Sequence, residues 1–238
     1  MNRERITGVR RPLTWLFDLD NTLHDASHAS FAHTSDAMAE FIALQLDMPA
    51  ADATALRQHY WQRYGATLLG LVRHHGVKAA DFLEQTHRLP GLEQRLRCHA
   101  ADRAALDRLP GQKYIVTNGP RAYADRVLRT LGLARCFNGV ITIEDMVMFG
   151  QHRPKPDRRM LRRLLARLKQ PAARCVLVED TLSHQKAARR IGMRTVWMQA
   201  YLGLPSNPGR QVLAGRKPAY VCARIKRIRR LHSFARSA

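Results

Sequence analysis

Asp18 and Asp20 stand two residues apart at the end of an apolar run, "WLFDLDNTLHD" over 15–25. Alternation along a strand turns residues i and i+2 to one face, so the two carboxylates would converge. Carboxylates that close repel each other unless a cation or a shared proton lies between them. Asp20-Asn21 is also ordinary turn chemistry, and on this stretch alone a site and a turn are equally good readings.

Three other places carry groups of the same kind. Thr117-Asn118-Gly119 closes a second apolar run, Lys155 lies in "RPKPD", and Glu179-Asp180 closes a third run. Singly, these read as a helix entry, a solvated loop lysine and a helix cap. Together they make four acids, one hydroxyl and one lysine, a set that suits one chemistry. Mg²⁺ takes hard oxygen ligands, keeps several waters and binds substrate phosphate. A carboxylate can act as nucleophile and carry an aspartyl-phosphate. Phosphoryl transfer depends mainly on position and on neutralising the equatorial oxygens, a task for Lys155, Thr117 and nearby backbone N–H groups.

The elements that must position this set are legible. Short apolar runs rich in β-branched or aromatic residues predict strands over 13–19, 113–118, 139–143, 174–180 and 194–198. Helical patterns such as "PRAYADRVLRTLGL" and "RRMLRRLLARL" lie between the later ones. Such alternation predicts an α/β fold with a Rossmann-like, mostly parallel sheet. Ligands of an open parallel sheet gather at the carboxyl ends of its strands, where the polar set falls. Between the first two strands there is no good strand, only helical stretches such as "SFAHTSDAMAEFIALQL" and "ADATALRQHYWQRYG". That predicts a helical cap subdomain inserted after the first strand. "HAADRAALDRLPG" (99–111) reads as a core helix ended by Pro110 and Gly111.

These patterns divide the chain into a discontinuous core over 12–22 and 98–204, a cap over 23–97 and a basic C-terminal segment over 205–238. Pro205, Pro208 and Gly209 mark a loop at the start of the last segment. "AYVCARI" resembles a final strand, so the segment is expected to be partly core-packed, while "KRIRRLHSFARSA" reads as a short basic helix or disordered end, an inert solubilising tail.

Composition narrows the class. A hydrophobic share of 45% in 238 residues supplies an ordinary core, and no apolar run reaches the length of a membrane span. Residues 1–12 are charged and lack an apolar stretch, so they read as a basic lead-in rather than a secretory leader. Cys98, Cys136, Cys175 and Cys222 form no CxxC pair, which argues for reduced thiols in a cytoplasmic protein, Cys175 being buried at a strand start. The formal charge of +21 attracts anions in general. Many of the basic residues lie opposite the Leu161, Leu164, Leu165 and Leu168 stripe of "DRRMLRRLLARLKQ", as on a solvated helix face. No zinc-finger, RNA-recognition or stacking motif accompanies the charge.

In order along the chain, "DLDNT" (18–22), "VTNG" (116–119), "RPKP" (153–156) and "VEDTLSHQKAA" (178–188) resemble the four motifs of the haloacid dehalogenase-like hydrolases. The resemblance runs from about Thr14 to Met198. "YWQRYGATLLGLVRHHGV" (60–77) is similar, more loosely, to the cap of the pyrimidine 5′-nucleotidase subgroup; ordinary cap packing accounts for its aromatics equally well. The resemblance implies a Mg²⁺-dependent phosphomonoesterase acting on a small phosphorylated metabolite, with pyrimidine nucleoside 5′-monophosphates first in line. It implies that Asp18 attacks phosphorus and ligates Mg²⁺, while Asp20 serves as general acid and base and lends a backbone carbonyl to the metal. Thr117 would bind the phosphoryl group with Asn118 lining the site. Lys155 would offset charge, Asp180 would bind the metal and Glu179 would support it. Tyr60 and Tyr64 are the candidate cap contacts.

Asp25 is left to cap the entry into the insert. His184 stands where the family often has Asn or Asp, and His24 where the subgroup commonly has Tyr. His24, His28 and His33 read as a polar cap face rather than a metal site. Phosphatases of pyridoxal phosphate, phosphoglycolate or sugar phosphates and a phosphomutase share the motifs. A dehalogenase has no need of Asp20. A nucleic-acid-binding protein on a hydrolase scaffold is the rival from another class.

Overall fold

The computed structural model of the chain describes residues 12–202 and 217–237. The basic lead-in at 1–11 and the loop around Pro205, Pro208 and Gly209 lie outside them. After β1 (Thr14–Phe17) come α1 (Ala26–Ala29), α2 (Phe31–Leu46), α3 (Ala50–Tyr64), α4 (Thr67–His75), α5 (Ala79–Thr86) and α6 (Leu92–Arg95). Then follow α7 (Ala100–Arg108), β2 (Lys113–Val116), α8 (Arg121–Thr130), β3 (Gly139–Ile141), β4 (Val147–Met148), β5 (Gln151–His152) and α9 (Arg158–Arg167). The remaining elements are β6 (Cys175–Glu179), α10 (Leu182–Arg190), β7 (Arg194–Met198), β8 (Ala223–Ile225) and α11 (Leu231–Ser237).

Six strands form one sheet in the order β3-β2-β1-β6-β7-β8, every pairing parallel. Strand alternation divides β1 between two cores. Trp15 and Phe17 join Ile115, Val176 and Val178 beneath α7, α8 and α11, and Leu16 joins Val116 and Leu177 beneath α9 and α10. Both faces are therefore covered, which is why these strands read as apolar runs without alternation. Asp157 starts α9 by accepting from the N–H groups of Arg159 and Met160, and its Met160, Leu161, Leu164 and Leu165 face the sheet. Arg158, Arg159, Arg162 and Arg163 are exposed on the other side. Cys175, the first residue of β6, is fully buried.

The inserted helices pack on their own apolar cluster, which includes Phe41, Ile42, Tyr60, Leu71 and Phe82; Ile143, from the loop after β3, joins it. A Cβ on Gly70 of α4 would lie 2.1 Å from Cγ of Tyr60, so glycine is what lets that ring rest on the helix backbone. The aromatic-Gly pattern of 60–77 thus has a packing cause.

The strand read in "AYVCARI" is present as β8, which completes the sheet, and the short basic helix is α11. Only the inert-tail expectation changes: the C-terminal segment buries Ile225, Ile228 and Leu231 in the core, and Phe234 packs 6.2 Å from Trp15. Its basic residues occupy the outward positions between those anchors. The antiparallel β4–β5 hairpin was not read in the sequence, because two-residue strands carry no periodicity.

Candidate active site

Strand order reverses beside β1, whose neighbours β2 and β6 come from distant parts of the chain. This is the crevice in which open α/β sheets bind ligands. Beyond the last residue of β1, Asp18 N–H still bonds the Val178 carbonyl at 3.0 Å, so Asp18 is carried alongside Glu179. The chain then turns: Leu23 N–H bonds Leu19 O at 2.9 Å and Asn21 adopts a left-handed φ of 56°, a conformation Asn tolerates. Asn21 Oδ1 is held by the Ser27 N–H at 3.0 Å. Asp20-Asn21 is therefore a turn, directly after Asp18.

Lys155, 1% exposed, ties the acids together. Its ammonium donates to Asp18 Oδ1 at 2.6 Å and to Glu179 Oε2 at 2.8 Å. Asn118 fixes it by the backbone: Lys155 N–H donates to Asn118 Oδ1, and Asn118 Nδ2 donates to the Lys155 carbonyl, both at 2.9 Å. His184 Nδ1 lies 3.0 Å from Glu179 Oε2, and Thr181 N–H donates to Glu179 Oε1 at 3.1 Å. Oxygens of Asp18, Glu179 and Asp180 lie within 4.8 Å of one another. Asp180 is steadied through its carbonyl by Trp197 Nε1 at 2.9 Å. Thr117 is buried beside them, and its hydroxyl oxygen accepts from Gly119 N–H at 3.0 Å.

The two aspartates are pushed apart electrically. Burial and then the Glu179 charge raise Asp18 to about 7, Lys155 opposing. Burial also works against the Asp20 carboxylate, but hydrogen bonds and charge from His24, with the Tyr123 hydroxyl, outweigh it and hold Asp20 below its ordinary value. Glu179 is likewise held far below the carboxylate range, burial being overcome by Lys155 and His184. Of the two aspartates, Asp18 is therefore the more readily protonated and Asp20 the more readily ionised.

The family model of a haloacid dehalogenase-like hydrolase matches residues 14–192. The chain belongs to the haloacid dehalogenase-like hydrolases. Solved structures share its fold at low identity. A HAD phosphatase from Thermococcus onnurineus is 20% identical with a TM-score of 0.61, over 93% of this chain and 97% of its own. A 2-haloacid dehalogenase from Pseudomonas syringae is 22% identical with a TM-score of 0.58, over 95% and 100%. YfnB from Bacillus subtilis, bound to magnesium, is 19% identical with a TM-score of 0.59, over 95% and 99%.

In this hydrolase the motif residues Asp18, Lys155, Glu179 and Asp180 meet at one strand-end crevice, with Asn118 clamping the backbone of the lysine. Carboxylate oxygens grouped this closely are the donor set of a hard divalent cation such as Mg²⁺. Each of the three carboxylates is held by its neighbours: Glu179 faces Lys155 and His184, Asp18 accepts from Lys155 and Thr22, and Asp180 Oδ1 accepts from the Thr181 hydroxyl. A cavity of about 780 Å³ opens beside Lys155, lined on one wall by Tyr64, Leu69, Val72 and Arg73 and on the other by Gln151, His152 and Arg153. Tyr64 reaches it; Tyr60 does not line it, being 6% exposed and bonded to His75 Nε2 at 2.7 Å.

His24 overturns the polar-face expectation. His28 and His33 are exposed, but His24 is fully buried and bonded to Asp20. Asp20 and His24 flank the turn at Asn21, a pairing that follows from that turn and not from a helical spacing. Asp25 caps α1, accepting from His28 N–H. Tyr123 was missed; the available signal was a single hydroxyl on the inward stripe of α8, beside Ala124, Val127 and Leu128.

Proposed function

We propose that this hydrolase is a Mg²⁺-dependent, cytoplasmic phosphomonoesterase working through an aspartyl-phosphate on Asp18. Its substrate would be a small phosphorylated metabolite, with pyrimidine nucleoside 5′-monophosphates first. The core would be 12–22 and 98–204, with 23–97 as cap and 205–238 as the basic C-terminal segment. The observation that carries the reading is the pairing of Asp18, bridged by Lys155 to Glu179, with a second aspartate two residues on that is held by its own partners, Tyr123 and His24. A dehalogenase has no use for that second group.

Mg²⁺ held by Asp18, the Asp20 carbonyl and Asp180, with Glu179 in support, would neutralise charge on the phosphoryl oxygens. A carboxylate oxygen of Asp18 attacks phosphorus as the ester P–O bond breaks, and Asp20, ionised in the free site, takes up the proton of the incoming phosphate monoanion and gives it to the departing oxygen. Asp20 then takes a proton from water, whose oxygen attacks the same phosphorus and frees Asp18 and inorganic phosphate. Thr117 hydroxyl and Lys155 bind the phosphoryl oxygens, and Asn118 holds Lys155 in place. The rest of the substrate would occupy the cavity beside Lys155, with Tyr64 as the cap contact. Arg73 on the cavity wall supports a second reading, an ester carrying another anion such as phosphoglycolate. Four free thiols are in keeping with a reducing compartment, and among the described residues no helix is long and apolar enough to cross a membrane.

Phosphate release with Mg²⁺ from UMP, CMP, AMP, pyridoxal phosphate, phosphoglycolate and a hexose phosphate tests this, wild type against Asp18→Asn. Turnover lost in Asp18→Asn is expected, with UMP and CMP preferred. Preference for another ester replaces the substrate and keeps the chemistry. No release from any ester by folded protein overturns the reading in favour of a mutase or a nucleic-acid-binding role.

A further inference from the structure

Asp20 sits in a cluster of buried hydroxyl and imidazole groups that the proposed chemistry has not used. Tyr123 hydroxyl donates to Asp20 Oδ1 at 2.6 Å, and His24 Nε2 lies 3.0 Å from the same oxygen. Tyr123 is 3% exposed and His24 0%. Ser30 Oγ, at the junction of α1 and α2, lies 3.0 Å from the Tyr123 hydroxyl. Both donors therefore fall on Oδ1, and among the described residues no hydrogen bond is made to Oδ2.

An ionised carboxylate only accepts hydrogen bonds, so His24 must carry a proton on Nε2 to donate. Its Nδ1 is buried with no hydrogen-bond partner among the described residues. A bare buried acceptor costs on the order of 1–3 kcal/mol, a penalty that an apolar side chain at this position avoids. His24 thus makes sense by what Nε2 does, not by what the ring adds to the core. The terminal torsion of an aspartate is broad and roughly two-fold, so an unheld carboxyl samples many orientations. Two donors on one oxygen fix it.

We propose that His24 and Tyr123 are positioning residues for proton transfer: they pin Oδ1 of Asp20 and leave Oδ2 as the atom that protonates the leaving oxygen. Oδ1 accepts from both donors whether or not Oδ2 carries the proton, so the carboxyl keeps its orientation through both half-reactions. The inference rests on the phosphomonoesterase reading above.

The test exploits leaving-group chemistry. An alkoxide must be protonated as it departs, whereas p-nitrophenolate leaves with little help. With Mg²⁺, Tyr123→Phe and His24→Leu are expected to lower kcat on the best alkyl phosphate by about 10-fold or more, KM holding, and on p-nitrophenyl phosphate by less than about 3-fold. His24→Gln, whose amide can donate to Asp20, is expected to recover most of the loss. Equal losses on the two esters, or no loss on either, overturn the proposal. Wild type that cleaves neither ester ends the phosphomonoesterase reading and this inference with it. Wild type that cleaves both keeps the reading standing however the variants behave. Independently of metal and turnover, ¹⁵N–¹H correlation of the histidine rings is expected to show the His24 proton on Nε2, and a proton on Nδ1 alone overturns the assignment.

Discussion

Replacing Lys155 by Met keeps its length and removes its charge, leaving Asp18 and Glu179 buried against each other. The lysine lies 2.6 Å from one carboxylate and 2.8 Å from the other. At an effective dielectric near 20, each contact is worth about 6 kcal/mol of gross attraction, most of it offset by the desolvation of the three groups. What a measurement returns is the cost of the uncompensated charges, about 3–5 kcal/mol when one member of a buried pair is removed. For a domain of this size that corresponds to a fall in Tm of roughly 6–20 °C. Urea denaturation of the metal-free protein at pH 8 reads it. Burial raises Asp18 to about 7 even with Lys155 in place, so protonation at pH 5.5 removes one of the two stranded charges, and the destabilisation must shrink there. The double variant Lys155→Met, Glu179→Gln is expected to regain more than about 1 kcal/mol over Lys155→Met alone. A loss below about 1 kcal/mol at pH 8, or one that is the same at both pH values, refutes the reasoning.

Metal-free wild type should lose stability as pH rises from about 5 to 8, because folded Asp18 titrates near 7 against an ordinary 3.8 and its ionisation favours unfolding through that window. Asp18→Asn should flatten this limb and unfold at higher urea at pH 8, while releasing no phosphate; a limb of unchanged slope argues against it. Mg²⁺ should raise Tm at pH 8, by about 2.7 kcal/mol equivalent at 100 times its Kd, and Asp180→Asn should remove most of that shift in differential scanning fluorimetry. Gly70→Ala, whose new methyl would lie 2.1 Å from the Tyr60 ring, should cost about 1–3 kcal/mol or more by thermal denaturation, and a loss near zero would mean the cap repacks freely.

The strands and the motif carboxylates were legible because each rests on a local signal. β1, β2, β3, β6 and β7 are apolar runs, and all lie inside the segments read from sequence. The strand-end position of Asp18, Thr117 and Glu179 follows from parallel pairing alone. What stayed hidden depends on distance in the chain. Tyr123 reaches Asp20 across 103 residues, and nothing in the spacing of either marks the other. The pairing of the Asn118 amide with the backbone of Lys155, 37 residues on, is likewise visible only after folding. Tyr60 and Tyr64 looked equivalent in sequence; the four-residue step along α3 puts one under the Gly70 backbone and the other at the cavity.

The central strand carries a consequence for how the chain is made. β1 pairs on one edge with β2 and on the other with β6, and both its faces are buried. Its second partner emerges from the ribosome about 160 residues later, which at 5–20 residues per second leaves a bare apolar edge for roughly 10–30 s. Through that interval the inserted helices can fold on their own cluster, but the sheet cannot close. The nascent chain therefore presents Thr14–Phe17 as a binding site for chaperones before it presents Asp18 to any substrate, and truncation before β6 yields a chain prone to aggregate rather than a smaller enzyme.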